Sequence, residues 1–247
     1  MDLHTFFMAH PAAALAFSGG ADSSYLLYAA KKCGADVKAY YVKTAFQPAF
    51  ELRDARELAA SAGASMTVID LDVLGDGIIA QNPPDRCYFC KKAIAGAIAG
   101  RAAQDGYSVI IDGTNASDDA GDRAGTRAIR EMGVLSPLRE CGLTKDAIRA
   151  LSKEAGLKTW DKPAYSCLAT RIPAGRAITA ELLQKVEKAE DMLFSMGFTD
   201  FRVRVYGGAA RLQLPARQYA AALEKRGEIL ACLKKHFDAV LLDLEAR

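Results

Sequence analysis

Ser18-Gly19-Gly20-Ala21-Asp22-Ser23 constrains this 247-residue chain more than any other segment, because it must turn a strand into a helix within a few residues. Before it, Ala12–Phe17 is a short apolar run, the pattern of a strand buried on both faces of a parallel sheet. After it, Tyr25, Leu26, Leu27 and Ala30 fall on one face of a helix running from Asp22 to Lys32. A loop leaving the carboxyl end of a parallel strand is where such sheets bind ligands. Gly19 and Gly20 leave backbone N–H groups open to phosphate oxygens, and Ser18 and Ser23 add hydroxyl donors. The helix dipole contributes only about 0.3–1 kcal/mol, so several hydrogen bonds in fixed geometry must supply most of the affinity. Gly-Lys-Ser/Thr is missing, so this is not a Walker A loop. Asp22 suits a polyphosphate only with a cation between them, and Mg²⁺ carried by the nucleotide meets that need.

The rest of the first half repeats the alternation. Strands are expected at Val37–Val42, Met66–Leu71 and Tyr107–Asp112, and helices at Ala49–Ala62, Arg86–Gln104, Ala120–Met132 and Thr144–Ala155. That order predicts an α/β fold, a parallel sheet with helices on both faces. The segment Asp112–Asp119 lies at the same sheet edge as the phosphate loop, where its small polar residues suit a nucleotide and Asp118 or Asp119 suits a helix cap. Periodicity breaks at 160–176, which holds Pro163, Pro173 and Gly175 and reads as a linker. Beyond it, Thr179 caps a helix to Met196, Phe201–Tyr206 alternates strictly, Gly207-Gly208 turns the chain and Ala210–Leu214 returns. A helix from Ala216 to about His236 and a strand Ala239–Leu244 complete a small α+β module. The expected division is residues 1–165 for the first domain and 177–247 for the second, joined by the linker.

Net charge is +2, with 32 Lys and Arg against 30 Asp and Glu, which argues against a dedicated nucleic-acid partner. No apolar run approaches the roughly 20 residues of a bilayer span, so no membrane partner is expected. The start Met1-Asp2-Leu3-His4 is unlike a secretory signal, and the expected compartment is the cytoplasm, where thiols stay reduced. Cys33, Cys141 and Cys232 read as packing residues. Cys87-Tyr88-Phe89-Cys90 opens a helix, whose N-terminus favours thiolate. A redox pair, a zinc site and an iron–sulfur cluster all compete for that pair, and the last needs a third thiolate, for which Cys167 is the candidate. Arg171 nearby favours thiolate or holds a phosphate.

Ser-Gly-Gly-x-Asp-Ser resembles the signature of the PP-loop ATP pyrophosphatases, which cleave ATP between the α and β phosphates. The resemblance implies ATP binding by Ser18, Gly19, Gly20, Asp22 and Ser23, with Mg²⁺ on Asp22 through the nucleotide. It also implies a nucleotide role for Gly113 and Thr114, which match the superfamily's Gly-Thr-Asn segment. Over nearly the whole chain the sequence resembles the LarE family more specifically. Thr44–Pro48, Asp112–Asn115, Gly133–Leu138, Lys162–Arg171 and Phe201–Val205 carry that likeness.

LarE proteins are ATP-dependent sulfur transferases that mature the nickel-pincer cofactor of lactate racemase. The resemblance implies adenylation of a carboxylate of pyridinium-3,5-biscarboxylic acid mononucleotide, followed by sulfur displacing AMP to give a thiocarboxylate. One type of the family has only the cysteine matching Cys167 and gives up its own sulfur. The other binds a [4Fe-4S] cluster through three cysteines and carries sulfide on the fourth iron. Cys87, Cys90 and Cys167 make this chain resemble the second type, with those three as catalytic and cluster-holding residues and an external sulfide donor. Arg202 and Arg204 share a strand face, with Arg211 on the paired strand. By resemblance Thr170, Arg171, Arg202 and Arg204 bind the substrate, and Glu190 is a further candidate for metal or substrate. The family also implies a homo-oligomer, a hexamer being one form. Two departures stand out: Thr170 replaces an expected serine, and Asp122–Gly125 lacks the usual tyrosine and proline. The competing reading is a PP-loop tRNA thiolation enzyme with a [4Fe-4S] cluster, which would need a basic surface. An amidating synthetase leaves the cysteines unexplained, and a plain nucleotide-binding module would release no pyrophosphate.

Overall fold

A computed structural model describes residues 1–118 and 124–247. In chain order the elements are α1 (Leu3–Ala9), β1 (Ala12–Ala16), α2 (Ala21–Lys32), β2 (Asp36–Lys43), α3 (Ala49–Ser61), β3 (Met66–Asp70), α4 (Gly77–Ala80) and α5 (Arg86–Gln104). There follow β4 (Ile110–Asp112), α6 (Ala124–Glu131), α7 (Pro137–Glu140), α8 (Lys145–Glu154) and α9 (Ala180–Ser195). The chain ends with β5 (Arg202–Tyr206), β6 (Ala209–Gln213), α10 (Tyr219–Glu224), α11 (Arg226–Leu233) and β7 (Val240–Leu242). The expected helix start at Ala120 lies outside the described residues.

Two compact units divide these elements: residues 1–73 with 85–164, and residues 74–84 with 165–247. The segment 74–84 departs from the expected boundary. It joins the second unit because Asn82 donates to the carbonyls of Ile172 and Pro173, and Gly175 and Ile178 donate back to Asn82 and Ala80.

The first unit is an α/β layer fold around a parallel sheet of order β3-β2-β1-β4. Strand alternation splits its core in two. Ala13, Leu15, Val37, Ala39 and Tyr41 pack on one face with Phe6 of α1, Leu26 and Leu27 of α2, Ala55 and Ala59 of α3 and Ile148 of α8. Ala14, Tyr40 and Val42 pack on the other against Ile98 and Ala102 of α5. The alanines of β1, sandwiched between both layers, let helices approach closely from either side. The chain leaves β1 toward β2 on one side, while β4 pairs on the other. The topological switch point therefore lies at the carboxyl ends of β1 and β4, and ligands bind open α/β sheets there.

The second unit holds a sheet of order β5-β6-β7, antiparallel then parallel, with α9, α10 and α11. Thr179 caps α9 by accepting from Leu182 N–H at 3.2 Å. The single helix expected from Ala216 is instead a 3₁₀ turn at Ala216–Gln218 followed by α10 and α11. The break falls at Lys225 (ψ 11°), whose ammonium donates to the Met196 carbonyl at 2.7 Å just before Gly227, a weak helix former.

Candidate active site

The loop after β1 is shaped by its glycines. Gly19 takes a left-handed φ of +69°, and a Cβ there would lie 3.0 Å from Ala55 of α3. Only glycine lets the loop lie on that helix. Gly20 precedes α2 with extended backbone and no side-chain cap, so first-turn N–H groups of α2 face a ligand site rather than a cap. Ser18 Oγ lies 3.1 Å from Ser23 Oγ and accepts from Gly20 N–H at 3.3 Å. Next to it, Gly113 is pressed so closely on the loop that a Cβ would lie 2.9 Å from Ser23 N. Asp112 fixes this second loop by accepting from Thr114 N–H (3.1 Å), Thr114 Oγ1 (2.6 Å) and Ser136 Oγ (2.8 Å). The Asp118 carboxylate accepts from Asn115 N–H at 2.9 Å, and the residues between it and Ala124 of α6 lie outside those described. Asp119 lies outside the described residues, as do Asp122 and Arg123.

These loops wall a cavity of about 230 Å³. Ser18, Gly20, Asp22, Ser23, Gly113 and Thr114 make the polar side, and Ile94, Ala95, Ile98, Ile129 and Val134 the apolar side. Phosphate suits the first and a flat base the second. Sequence reasoning gave Lys145 and Lys162 no role here and named Asn115 only as part of the 112–119 segment. Lys145, 123 positions from Asp22, donates to both its carboxylate oxygens at 2.8 and 2.7 Å. Asn115 Nδ2 reaches the same carboxylate at 3.4 Å. Lys162, in the expected linker, bonds Asp54 at 2.9 Å and the Gly19 carbonyl at 3.3 Å. Lysines of ordinary spacing carry no local signal, and only the fold brings them to the loop.

The cysteine pair opens α5 as expected. Cys87 is exposed in the first turn, Cys90 lies half-buried one turn on, and neither is in a disulfide. Buried Arg86 lies over the Phe46 ring at 5.3 Å and has Nη2 3.9 Å from Cys87 Sγ. Lys91, one helical turn from Cys87 on the same face, lines the cavity. The cysteine-bearing end of α5 thus adjoins the phosphate loop's cavity. Among the described residues no three His, Cys, Asp or Glu side chains gather as a metal site.

The second unit holds Cys167, half-buried before a 3₁₀ turn at Leu168–Arg171. Arg171, 1% exposed, pairs through Nε and Nη2 with Glu190 of α9 at 2.8 and 3.1 Å. Its Nη1 donates to Ser166 O and Oγ, both at 2.9 Å, and to Thr170 Oγ1 at 2.8 Å. Glu190, the further candidate for metal or substrate, does not lie on a solvated helix face. It is buried, and also accepts from Val203 N–H at 2.9 Å and from the Tyr165 hydroxyl, which occupies its oxygens with the protein's own donors.

Arg202, also buried, stacks 5.2 Å over the Tyr165 ring, and Arg204 faces Arg211 across β5 and β6. Arg204 donates to the Thr170 carbonyl at 2.6 Å and to Gln213. Arg211 Nε, 3.5 Å from Asp243, makes an ion pair but no hydrogen bond. Burial, then the neighbouring charges of Arg171 and Arg247, pulls the Arg202 guanidinium down to about 10. Burial, Arg171 and Arg211 lower Arg204 in the same way. Burial and neighbouring like charge both make an added anion beside Arg202 and Arg204 favourable, and phosphate or carboxylate is chemistry that suits them.

Sheet order, glycine loop and cavity together define an α/β protein of the PP-loop class. The family model of the queuosine biosynthesis protein QueC matches residues 12–81, from β1 to just past α4. An uncharacterised protein of Synechocystis sp. is 35% identical over 251 residues, covering 99% of this chain and 92% of its own. The pyridinium-3,5-bisthiocarboxylic acid mononucleotide synthase of Lactiplantibacillus plantarum is 36% identical over 203 residues, 81% of this chain and 74% of that enzyme. A tRNA-specific 2-thiouridylase of Pseudothermotoga lettingae is 28% identical over 59% of this chain. The chain belongs to the LarE family, that of the pyridinium-3,5-bisthiocarboxylic acid mononucleotide synthase, and is an enzyme of the sulfur-transferase class. No helix among the described residues is long and apolar enough to cross a membrane.

Proposed function

We propose that the protein adenylates a carboxylate of pyridinium-3,5-biscarboxylic acid mononucleotide with ATP and converts it to a thiocarboxylate, a step of nickel-pincer cofactor biosynthesis. The observation that carries this reading is the cavity: a glycine phosphate loop forms one wall, and the helix bearing Cys87 and Cys90 forms another. A carboxylate is a poor electrophile, and an acyl-adenylate gives it a leaving group. In the first step a substrate carboxylate oxygen attacks the α phosphorus and pyrophosphate leaves. In the second, sulfur attacks the acyl carbon and AMP leaves.

Ser18, Ser23 and the N–H groups around Gly19 and Gly20 hold the polyphosphate while Asp22 takes its Mg²⁺. Gly113 and Thr114 border the nucleotide. Arg202 and Arg204 hold the substrate phosphate, and Arg171 with Thr170 fixes the segment presenting Cys167. Three thiols, two of them one helical turn apart, are a donor set suited to iron, and Cys87, Cys90 and Cys167 would hold a [4Fe-4S] cluster. When bound, that cluster supplies a replaceable sulfide, so Cys167 keeps its own sulfur.

The test is pyrophosphate release with and without the pyridinium dicarboxylate, with mass analysis for oxygen-to-sulfur exchange. Release that ignores the dicarboxylate, or no mass change with sulfide present, overturns the reading. Anaerobic reconstitution with iron and sulfide should give a broad visible absorbance, bleached by dithionite and lost in Cys87→Ala. A colourless wild-type protein removes the cluster but leaves adenylation standing.

A further inference from the structure

We propose that Lys145 is a phosphate-binding residue docked on Asp22 until the metal–nucleotide arrives. This rests on the ATP reading above and assigns a residue to it.

Asp22 places a carboxylate on the wall of the phosphate cavity, where it would repel a polyanion. That charge is cancelled in this structure, because the Lys145 ammonium sits 2.8 and 2.7 Å from the two oxygens. The same contact blocks the metal. Mg²⁺ needs a carboxylate oxygen at about 2.0–2.1 Å in octahedral geometry, and an ammonium across both oxygens fills that approach with like charge. A nucleotide-borne cation therefore reaches Asp22 only as Lys145 leaves, and the nearest uncompensated anion for the ammonium is the arriving polyphosphate.

The local structure suits such an exchange. Lys145 is the first residue of α8, its backbone N–H bonded to Ser117 Oγ at 2.9 Å, while Thr144 caps the helix by accepting from Ala147 N–H at 3.3 Å. The backbone is anchored, and the four-carbon stem carries a compact charge that can turn between partners. Asn115 Nδ2, 3.4 Å from Asp22, keeps the carboxylate in place when the ammonium moves. As a stabilising device the pair would achieve little, since its side chains keep 31% and 22% of their exposure.

Calorimetric titration of the full-length protein with Mg²⁺ and α,β-methylene-ATP tests this. Lys145→Met should weaken binding at least 10-fold with the melting temperature of the free protein unchanged, and Lys145→Arg should recover part of the loss. The deciding comparison is Lys145→Met in an Asp22→Asn background. If Lys145 contacts phosphate, the 10-fold loss persists there. If it only neutralises Asp22, the loss vanishes and the proposal is overturned, as it is if Lys145→Met binds like wild type. A wild-type protein that binds no Mg²⁺–analogue at all overturns the ATP reading itself, a distinct result.

Discussion

Two glycines of the candidate active site are required for different physical reasons. Gly19 adopts a backbone angle that side chains avoid, and Gly113 leaves no room for one, because a Cβ would meet the Ser23 backbone at 2.9 Å. Backbone cannot yield as a flexible side-chain tip can. Gly113→Ala should therefore displace the phosphate loop, costing about 1–3 kcal/mol in denaturant unfolding and weakening nucleotide binding more than 10-fold. Unchanged affinity in the folded variant would show that the two loops need not touch. Asp22 illustrates the opposite case. The sequence reads it as an acid for a nucleotide-borne cation, but its partner in the structure, 123 residues away, carried no signal, since a lone lysine at a helix start looks like any other.

Between elements, two buried or half-buried carboxylates act as staples. Glu190 joins α9 to β5 and to the 3₁₀ turn, with donors from Val203, Arg171 and Tyr165. Removing one member of a buried pair leaves the other charge uncompensated, so Glu190→Ala should lower stability by about 3–5 kcal/mol, read by urea unfolding. A loss below 1 kcal/mol would mean that water replaces the carboxylate. Asp105, at the end of α5, accepts from Lys38 Nζ at 2.7 Å and Tyr40 Oη at 2.8 Å on β2. Those two donors draw its carboxyl down to about 2, from 3.8. A folded-state value below the unfolded one gives stability that is fully present above pH 3.8 and is lost as pH falls toward 2. Asp105→Asn should flatten that acid limb of the unfolding profile and leave its slope near neutrality unchanged.

For the whole molecule, a near-balanced charge hides a strongly cationic site in the second unit. Net +2 gives no hint that Arg171, Arg202, Arg204 and Arg211 share one neighbourhood, where Glu190 pairs with Arg171 and Asp243 with Arg211. Inorganic phosphate should raise the melting temperature, since a ligand at 100 times its Kd adds about 2.7 kcal/mol. The rise should be lost in Arg202→Met with Arg204→Met. Because Arg202 stays charged below about 10, its guanidinium does not titrate from pH 6 to 9, and the rise should grow there only as phosphate itself gains its second negative charge. Equal stabilisation of the double variant would place the phosphate elsewhere.

The alternation of apolar runs was enough to define the parallel sheet, most of its helices and the strand-to-helix phosphate loop. Those features follow from periods of two and 3.6 residues and from glycine's backbone freedom, which are local properties. The cysteine pair and the Arg-x-Arg strand were legible for the same reason. Tertiary structure alone decided that residues 74–84 belong with the second unit, that Glu190 is buried, and that Lys145 and Lys162 meet the loop. Each depends on contacts between segments far apart in the chain. Burial and charge pairing are properties of the packed molecule, and no window of sequence contains them.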